Sequence, residues 1–65
     1  MTIYQMLTEL QTWFSPSSEL LAKAKQSKIT TKNNATFKQL VDGWMEGMFD
    51  EDPRLMYDEI TFLLK

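Results

Sequence analysis

Apolar residues at the start of the chain recur at the spacing of an amphipathic helix. The positions i, i+3, i+4, i+7, i+10 and i+11 are occupied by Ile3, Met6, Leu7, Leu10, Trp13 and Phe14, with mostly polar residues between them. This spacing places the apolar side chains on one face at 3.6 residues per turn. Thr2, followed three residues later by Gln5, has the pattern of a capping box. The sequence therefore predicts a first helix over residues 2–14, with Trp13 and Phe14 on its core-facing side.

A second, weaker helix is predicted over residues 16–27. Ser15 before Pro16 has the pattern of an N-cap followed by proline at the first helical position. The apolar stripe of this helix is narrow, consisting of Leu20, Leu21 and Ala24. Residues 28–34 form the connection to the next helix, with Ile29 expected to enter the core and Asn33 or Asn34 to cap the helix that follows.

The third predicted helix, residues 35–49, has the clearest apolar pattern in the chain. Its stripe comprises Phe37, Leu40, Val41, Trp44, Met45 and Met48. Most of this methionine and aromatic stripe, including Phe49, is expected to be core. Gly43 and Gly47 are predicted to lie inside the same helix, four residues apart on one face, where each costs about 1 kcal/mol relative to alanine. One interpretation is close approach of a helix from a partner; the other, which is favoured, is close packing against helix one or four within the chain or simply tolerated glycine.

The fourth predicted helix, residues 53–64, follows an acidic break. Asp50, Glu51 and Asp52 are expected to end the third helix, and Asp52 before Pro53 repeats the pattern of a cap residue followed by proline. Three apolar residues lie on one line of the fourth helix, with further apolar residues on both flanks: Met56, Ile60 and Leu63 on the line, Leu55 and Phe62 on one side, Tyr57 and Leu64 on the other. Because one small core cannot easily cover so much apolar surface, this helix is expected to contact something else as well.

Together these elements predict an all-α protein consisting of a single domain over residues 1–65. We expect a small compact bundle of three to four short helices, in which the last two form a C-terminal antiparallel hairpin around Asp50–Pro53. A chain of this length buries only about 60% of the surface that its unfolded form exposes. It contains neither Cys nor His, so disulfides and the common zinc ligands cannot add stability.

The sequence contains few of the residues and motifs that catalysis commonly uses. Without His or Cys, imidazole acid–base catalysis, serine–histidine triads and thiolate chemistry are excluded. The acidic run Asp50–Asp52 lacks the alternating oxygen ligands and central glycine of a calcium loop, so it is interpreted as a helix-end signal. No glycine-rich phosphate loop is present. The sequence predicts a protein that is not an enzyme and that holds neither cofactor nor metal.

The location of the protein is predicted from its apolar runs and its cysteine content. These runs are too short to cross a bilayer, and the first residues lack the basic and apolar regions of a secretory signal. The absence of Cys is compatible with a reducing compartment. We therefore expect a cytoplasmic protein with no membrane contact.

Charge is distributed unevenly along the chain. Residues 1–41 contain five Lys and two Glu, a net charge of +3, whereas residues 42–65 contain two basic residues and seven carboxylates, a net charge of −5. The favoured interpretation of this asymmetry is that the two halves attract each other, within one fold or across a dimer.

The function that the sequence favours is that of a small regulatory or adaptor protein that binds another protein through the fourth helix. Its size and lack of catalytic motifs suit an accessory or inhibitor protein of a mobile element or phage. The predicted partner-binding residues are apolar side chains with an acidic rim: Leu55, Tyr57 and Phe62, with Asp50, Glu51, Asp52, Asp58 and Glu59.

Two alternatives remain open from sequence alone. The first is a regulator resembling a helix-turn-helix that binds nucleic acid through a lysine-rich segment comprising Lys23, Lys25, Lys28, Lys32 and Lys38. Against it, the segment lacks a tight glycine-containing turn and the sequence pI is near 4.9. The second is a structural homo-oligomer, for example a homodimer, in which a second copy covers the apolar excess.

Overall fold

A computed structural model describes all residues from Met1 to Lys65 and shows an all-α bundle of four helices. The helices are α1 (Ile3–Leu10), α2 (Ser18–Gln26), α3 (Ala35–Met45) and α4 (Pro53–Leu63). The predicted fold class is confirmed. The only extended pairing is a single antiparallel bridge between Thr2 and Thr30.

Helix α1 lies at the centre of the packing, against both α2 and α4, and α3 packs on α4 to complete the C-terminal hairpin. The core has nine buried apolar residues, and α1 contributes more of them than any other helix: Ile3, Met6, Leu7, Leu10, Ala24, Phe37, Val41, Met56 and Ile60. The helical spacing at the start of the chain therefore identified the centre of the core. No polar or charged side chain is buried in it.

Helix α1 ends at Leu10, four residues earlier than predicted, and this changes where Trp13 points. The chain continues through a tighter turn in which the amides of Gln11 and Trp13 donate to carbonyls three residues back, at 3.2 and 3.0 Å. Trp13 is therefore 55% exposed instead of facing the core. Phe14, the next residue, is half-buried and packs on the core cluster.

The start of α2 also differs from the prediction. The N-cap is Ser17, not Ser15, and its hydroxyl accepts a hydrogen bond from the amide of Leu20 at 3.1 Å. Pro16 consequently lies before the cap and is not the first helical residue. The Ser-Pro-Ser-Ser sequence offers more than one hydroxyl, and Ser17 is the one that satisfies a free amide of the first turn.

Helix α3 ends at Met45, so the prediction that Gly43 and Gly47 share one helix is wrong. Gly47 has a φ of 84° and is the left-handed residue that terminates the helix. The amide of Gly47 donates to the Trp44 carbonyl at 3.1 Å, and the amide of Met48 donates to the Gly43 carbonyl at 2.9 Å. These two bonds define a Schellman motif, and a residue without Cβ adopts the required backbone most easily.

Gly43 accommodates the chain that turns back after α3. A Cβ placed on this residue would lie 3.2 Å from Met48 Sδ and 3.3 Å from Phe49 Cε2. Both contacts are with residues of the same turn. Of the two interpretations left open, the structure supports close packing within the chain at Gly43, although the approaching group is this turn and not another helix.

The remaining helix starts follow the predicted pattern in most respects. Thr2 and Gln5 form the capping box, with both reciprocal bonds present. Asn34 caps α3 by accepting from the amide of Phe37 at 2.9 Å. Asp52 and Pro53 occupy the predicted cap and first helical positions of α4, but the Asp52 side chain makes no capping hydrogen bond.

Candidate interaction site

The outward face of α4 exposes two large apolar side chains. Leu55 is 54% exposed and Phe62 is 70% exposed. They are seven residues apart, which places them on one side of the helix about 10.5 Å apart along its axis. The core residues of the same helix, Met56 and Ile60, are fully buried. Helix α4 thus contributes one face to the core and presents a second apolar face to the surroundings.

Carboxylates separate and flank these apolar side chains. Asp58 and Glu59 are exposed and lie between Leu55 and Phe62 on the same side of the helix. We call Leu55, Asp58, Glu59 and Phe62 the α4 surface. Asp58 accepts a hydrogen bond from Arg54 at 3.3 Å, whereas Glu59 makes no ion pair. The α4 surface is therefore apolar with an acidic centre.

The acidic residues before α4 extend this negative charge toward the N-terminal end of the helix. Asp50, Glu51 and Asp52 are all exposed, and none of them forms a salt bridge. They occupy the turn that leads into Pro53. The predicted acidic residues are thus exposed in the turn before α4 and in the middle of its outward face.

Tyr57 does not share that face. It is half-buried, with its ring centroid 4.9 Å from that of Phe14. The guanidinium of Arg54 lies 5.9 Å from the centroid of the Tyr57 ring. The structure therefore brings Leu55, Asp58, Glu59 and Phe62 together but assigns Tyr57 to packing within the fold.

A second exposed region, not predicted from the sequence, lies where the C-terminal ends of α1 and α3 meet. The indole rings of Trp13 and Trp44 are 5.5 Å apart at an interplanar angle of 75°. They line an open cleft of about 330 Å³ together with Glu9 and Thr12. The sequence pattern gave no signal for this cleft, because it placed Trp13 on the core-facing side of a first helix that was expected to continue to residue 14.

Two methionines near the end of α3 are also exposed, contrary to the prediction that this stripe is mostly core. Met45 is 75% exposed and Met48 is 73% exposed. Because α3 ends at Met45, the helical spacing no longer directs Met48 toward the core. Phe37 of the same predicted stripe is fully buried, as is Met56 of α4, and Trp44 and Phe49 are half-buried.

The lysine-rich segment does not adopt the helix pairing of a helix-turn-helix. Helix α2 packs on α1, and α3 packs on α4, whereas a helix-turn-helix joins two mutually packed helices by a short turn. Lys38 forms an ion pair with Asp42 at 3.0 Å. The other four lysines are exposed without ion-pair partners: Lys23, Lys25, Lys28 and Lys32.

All the carboxylates of the chain are exposed. None of them lies in a group of three or more side chains that could hold a metal ion. The longest helices have 11 residues, and none combines the length and apolarity required to cross a bilayer. Comparisons with protein-family models, with curated proteins and with solved structures find no match.

Proposed function

We propose that this chain is a small non-enzymatic regulatory or adaptor protein that binds another protein through the α4 surface. The observation that carries the proposal is the exposure of Leu55 and Phe62 on the side of α4 away from its buried residues. Two large apolar side chains on one outward helix face are suited to insertion into a hydrophobic groove, as amphipathic helices insert in many complexes.

The charges around Leu55 and Phe62 support a partner of complementary charge. Glu59 and the Asp50–Asp52 run are exposed and without ion pairs. A groove with Lys or Arg at its rim would complement them, which raises the association rate and suppresses binding to acidic proteins. The proposed partner is therefore a protein with an apolar groove and a basic rim.

A small size and a lack of catalytic motifs suit a more specific role, which we propose as that of an accessory or inhibitor protein of a mobile element or phage, acting in the cytoplasm. A short acidic helix is well suited to cover a basic surface on its target. The absence of Cys is compatible with a reducing compartment.

Affinity capture from an extract of the source cells tests the proposal. The immobilised protein would be compared with a Leu55→Ala/Phe62→Ala variant and with a control, Thr36→Ala/Gln39→Ala, that changes exposed polar residues of α3. We expect a partner retained by the wild type and the control but lost by the α4 variant, with circular dichroism showing all three proteins folded. Equal retention by all three would overturn the proposal.

A second copy of the chain is the alternative occupant of the α4 surface, favoured by the same two exposed side chains. Sedimentation equilibrium distinguishes it from a foreign partner. A homodimer that dissociates in the Leu55→Ala/Phe62→Ala variant would assign the surface to self-association. A monomer at high concentration would leave the α4 surface free for another protein.

A further inference from the structure

We infer that the cleft between Trp13 and Trp44 is a binding site for an arginine side chain of a partner peptide. The two indole rings stand nearly perpendicular, at 75° with centroids 5.5 Å apart. Four residues line the cleft: the two tryptophans, and Glu9 and Thr12, whose side chains carry hydrogen-bond acceptors. The site does not involve α4 and is independent of the function proposed above.

The polar lining of the cleft is available for a ligand. The Glu9 carboxylate forms no ion pair, since the salt bridges of the chain join Lys38 to Asp42 and Arg54 to Asp58. Glu9 is exposed and is the only charged residue lining the cleft. A cation placed over the indole rings would thus meet a negative charge that no side chain of the protein neutralises.

A guanidinium fits this combination better than other organic cations. It is planar, stacks on aromatic faces and presents several donors in a fixed fork. The cleft is lined by two indole rings that can attract a cation, with a carboxylate and a hydroxyl to accept hydrogen bonds. A quaternary ammonium would have no donor for either acceptor, and a lysine ammonium would not use the flat ring faces for stacking.

The protein already contains this arrangement with its own arginine. The Arg54 guanidinium lies 5.8 Å from the Phe14 ring centroid and 5.9 Å from that of Tyr57, and Arg54 Nε donates to Asp58 at 3.3 Å. Two aromatic rings and one carboxylate therefore hold a guanidinium there. Trp13, Trp44 and Glu9 provide the same three groups. Arg54 is the only arginine in the chain, and it is engaged with Phe14 and Tyr57, so the guanidinium comes from another molecule.

Tryptophan fluorescence and indole NMR signals report on this cleft directly, because Trp13 and Trp44 are the only two tryptophans of the chain. The probe is Nα-acetyl-arginine amide, titrated to its solubility limit. The citrulline analogue, which has nearly the same shape without the charge, and the lysine analogue are the controls. We expect saturable shifts of both indole N–H signals with the arginine compound, weaker binding of the lysine compound and no saturation with citrulline.

Variants then assign the binding to the cleft. Glu9→Gln is expected to lower the affinity for the arginine compound about two- to fivefold, the range for the loss of an exposed ion pair. Trp13→Ala is expected to abolish saturation at the Trp44 signal, whereas Thr36→Ala leaves binding unchanged. The inference is overturned by absence of a saturable shift, by equal binding of citrulline, or by wild-type affinity in both cleft variants. An indole shift that depends on protein concentration without ligand would instead assign the cleft to self-association.

Discussion

The ring of Phe14 packs against the ring of Tyr57 with 4.9 Å between their centroids and 38° between their planes. This contact joins the segment after α1 to one side of α4. The Arg54 guanidinium lies close to both rings. Helix α4 is therefore anchored through Tyr57, Met56 and Ile60, while its outward residues make no comparable contact.

Replacing Tyr57 is expected to affect folding, and replacing Phe62 is not. Tyr57→Ala removes the aromatic pair and its buried area, so the free energy of unfolding should fall by about 1–2 kcal/mol. Phe62→Ala changes an exposed side chain and should shift stability by less than about 0.5 kcal/mol. Urea denaturation followed by circular dichroism measures both. Similar losses in the two variants would contradict the assignment of Tyr57 to the fold.

The buried face of α4 is expected to be sensitive to the loss of a single methyl group. Ile60 is fully buried, so Ile60→Val should lower the free energy of unfolding by about 0.5–1.5 kcal/mol. Leu55→Val, on the exposed face, also removes one carbon and in addition moves the branch point to Cβ, which lowers helix propensity slightly; its cost in free energy of unfolding should still be smaller. Equal costs in urea denaturation would mean that α4 does not face the core as described.

Gly47 is expected to resist substitution because of its backbone conformation. At a φ of 84°, alanine is strained, and its Cβ would lie 2.9 Å from Asp50 Oδ2. We expect Gly47→Ala to destabilise the protein by about 1–2 kcal/mol. Gly47→Asn should cost less, because asparagine enters the left-handed region more easily. Thermal unfolding of the two variants gives the comparison, and an alanine variant as stable as the wild type would refute the Schellman assignment.

Gly43 is expected to show coupling with Met48. Alanine at Gly43 gains helix propensity, worth up to about 1 kcal/mol, but its Cβ crowds Met48 Sδ at 3.2 Å. Phe49 Cε2 would lie at 3.3 Å as well, so Gly43→Ala should be close to neutral in the wild type and more favourable in a Met48→Ala background, where one of the two close contacts is removed. A double-mutant cycle in urea measures this coupling. Additive effects would show that Met48 does not limit the space at Gly43.

The helices were predictable from the sequence because local spacing and capping agreed with the packing. Ile3, Met6, Leu7 and Leu10 recur at helical intervals and all are fully buried. Caps such as Thr2 and Asn34 satisfy amides within three residues, so a short sequence window contains the information needed to recognise them.

Helix ends and exposed side chains were harder to predict, because they depend on backbone angles that spacing does not specify. The helical pattern continues through Trp13 and through Met48, but the backbone leaves the helix after Leu10 and Met45. Gly47 followed by further apolar residues fits the pattern of a helix interior, although glycine is equally a signal of a helix end. The Trp13–Trp44 cleft is a consequence of the early end of α1, and it could not be inferred while Trp13 was placed in the core.

The bridge between Thr2 and Thr30 has a consequence for the dynamics of the first turn of α1. Amides at the start of a helix have no partner within that helix, and such ends usually fray. Here the amide of Ile3 donates to the Ile29 carbonyl, and that of Thr31 donates to the Met1 carbonyl, both at 3.1 Å. In a hydrogen–deuterium exchange experiment, the Ile3 amide proton should therefore exchange as slowly as the amide protons in the buried middle of α1. Exchange at either place would require the same cooperative opening.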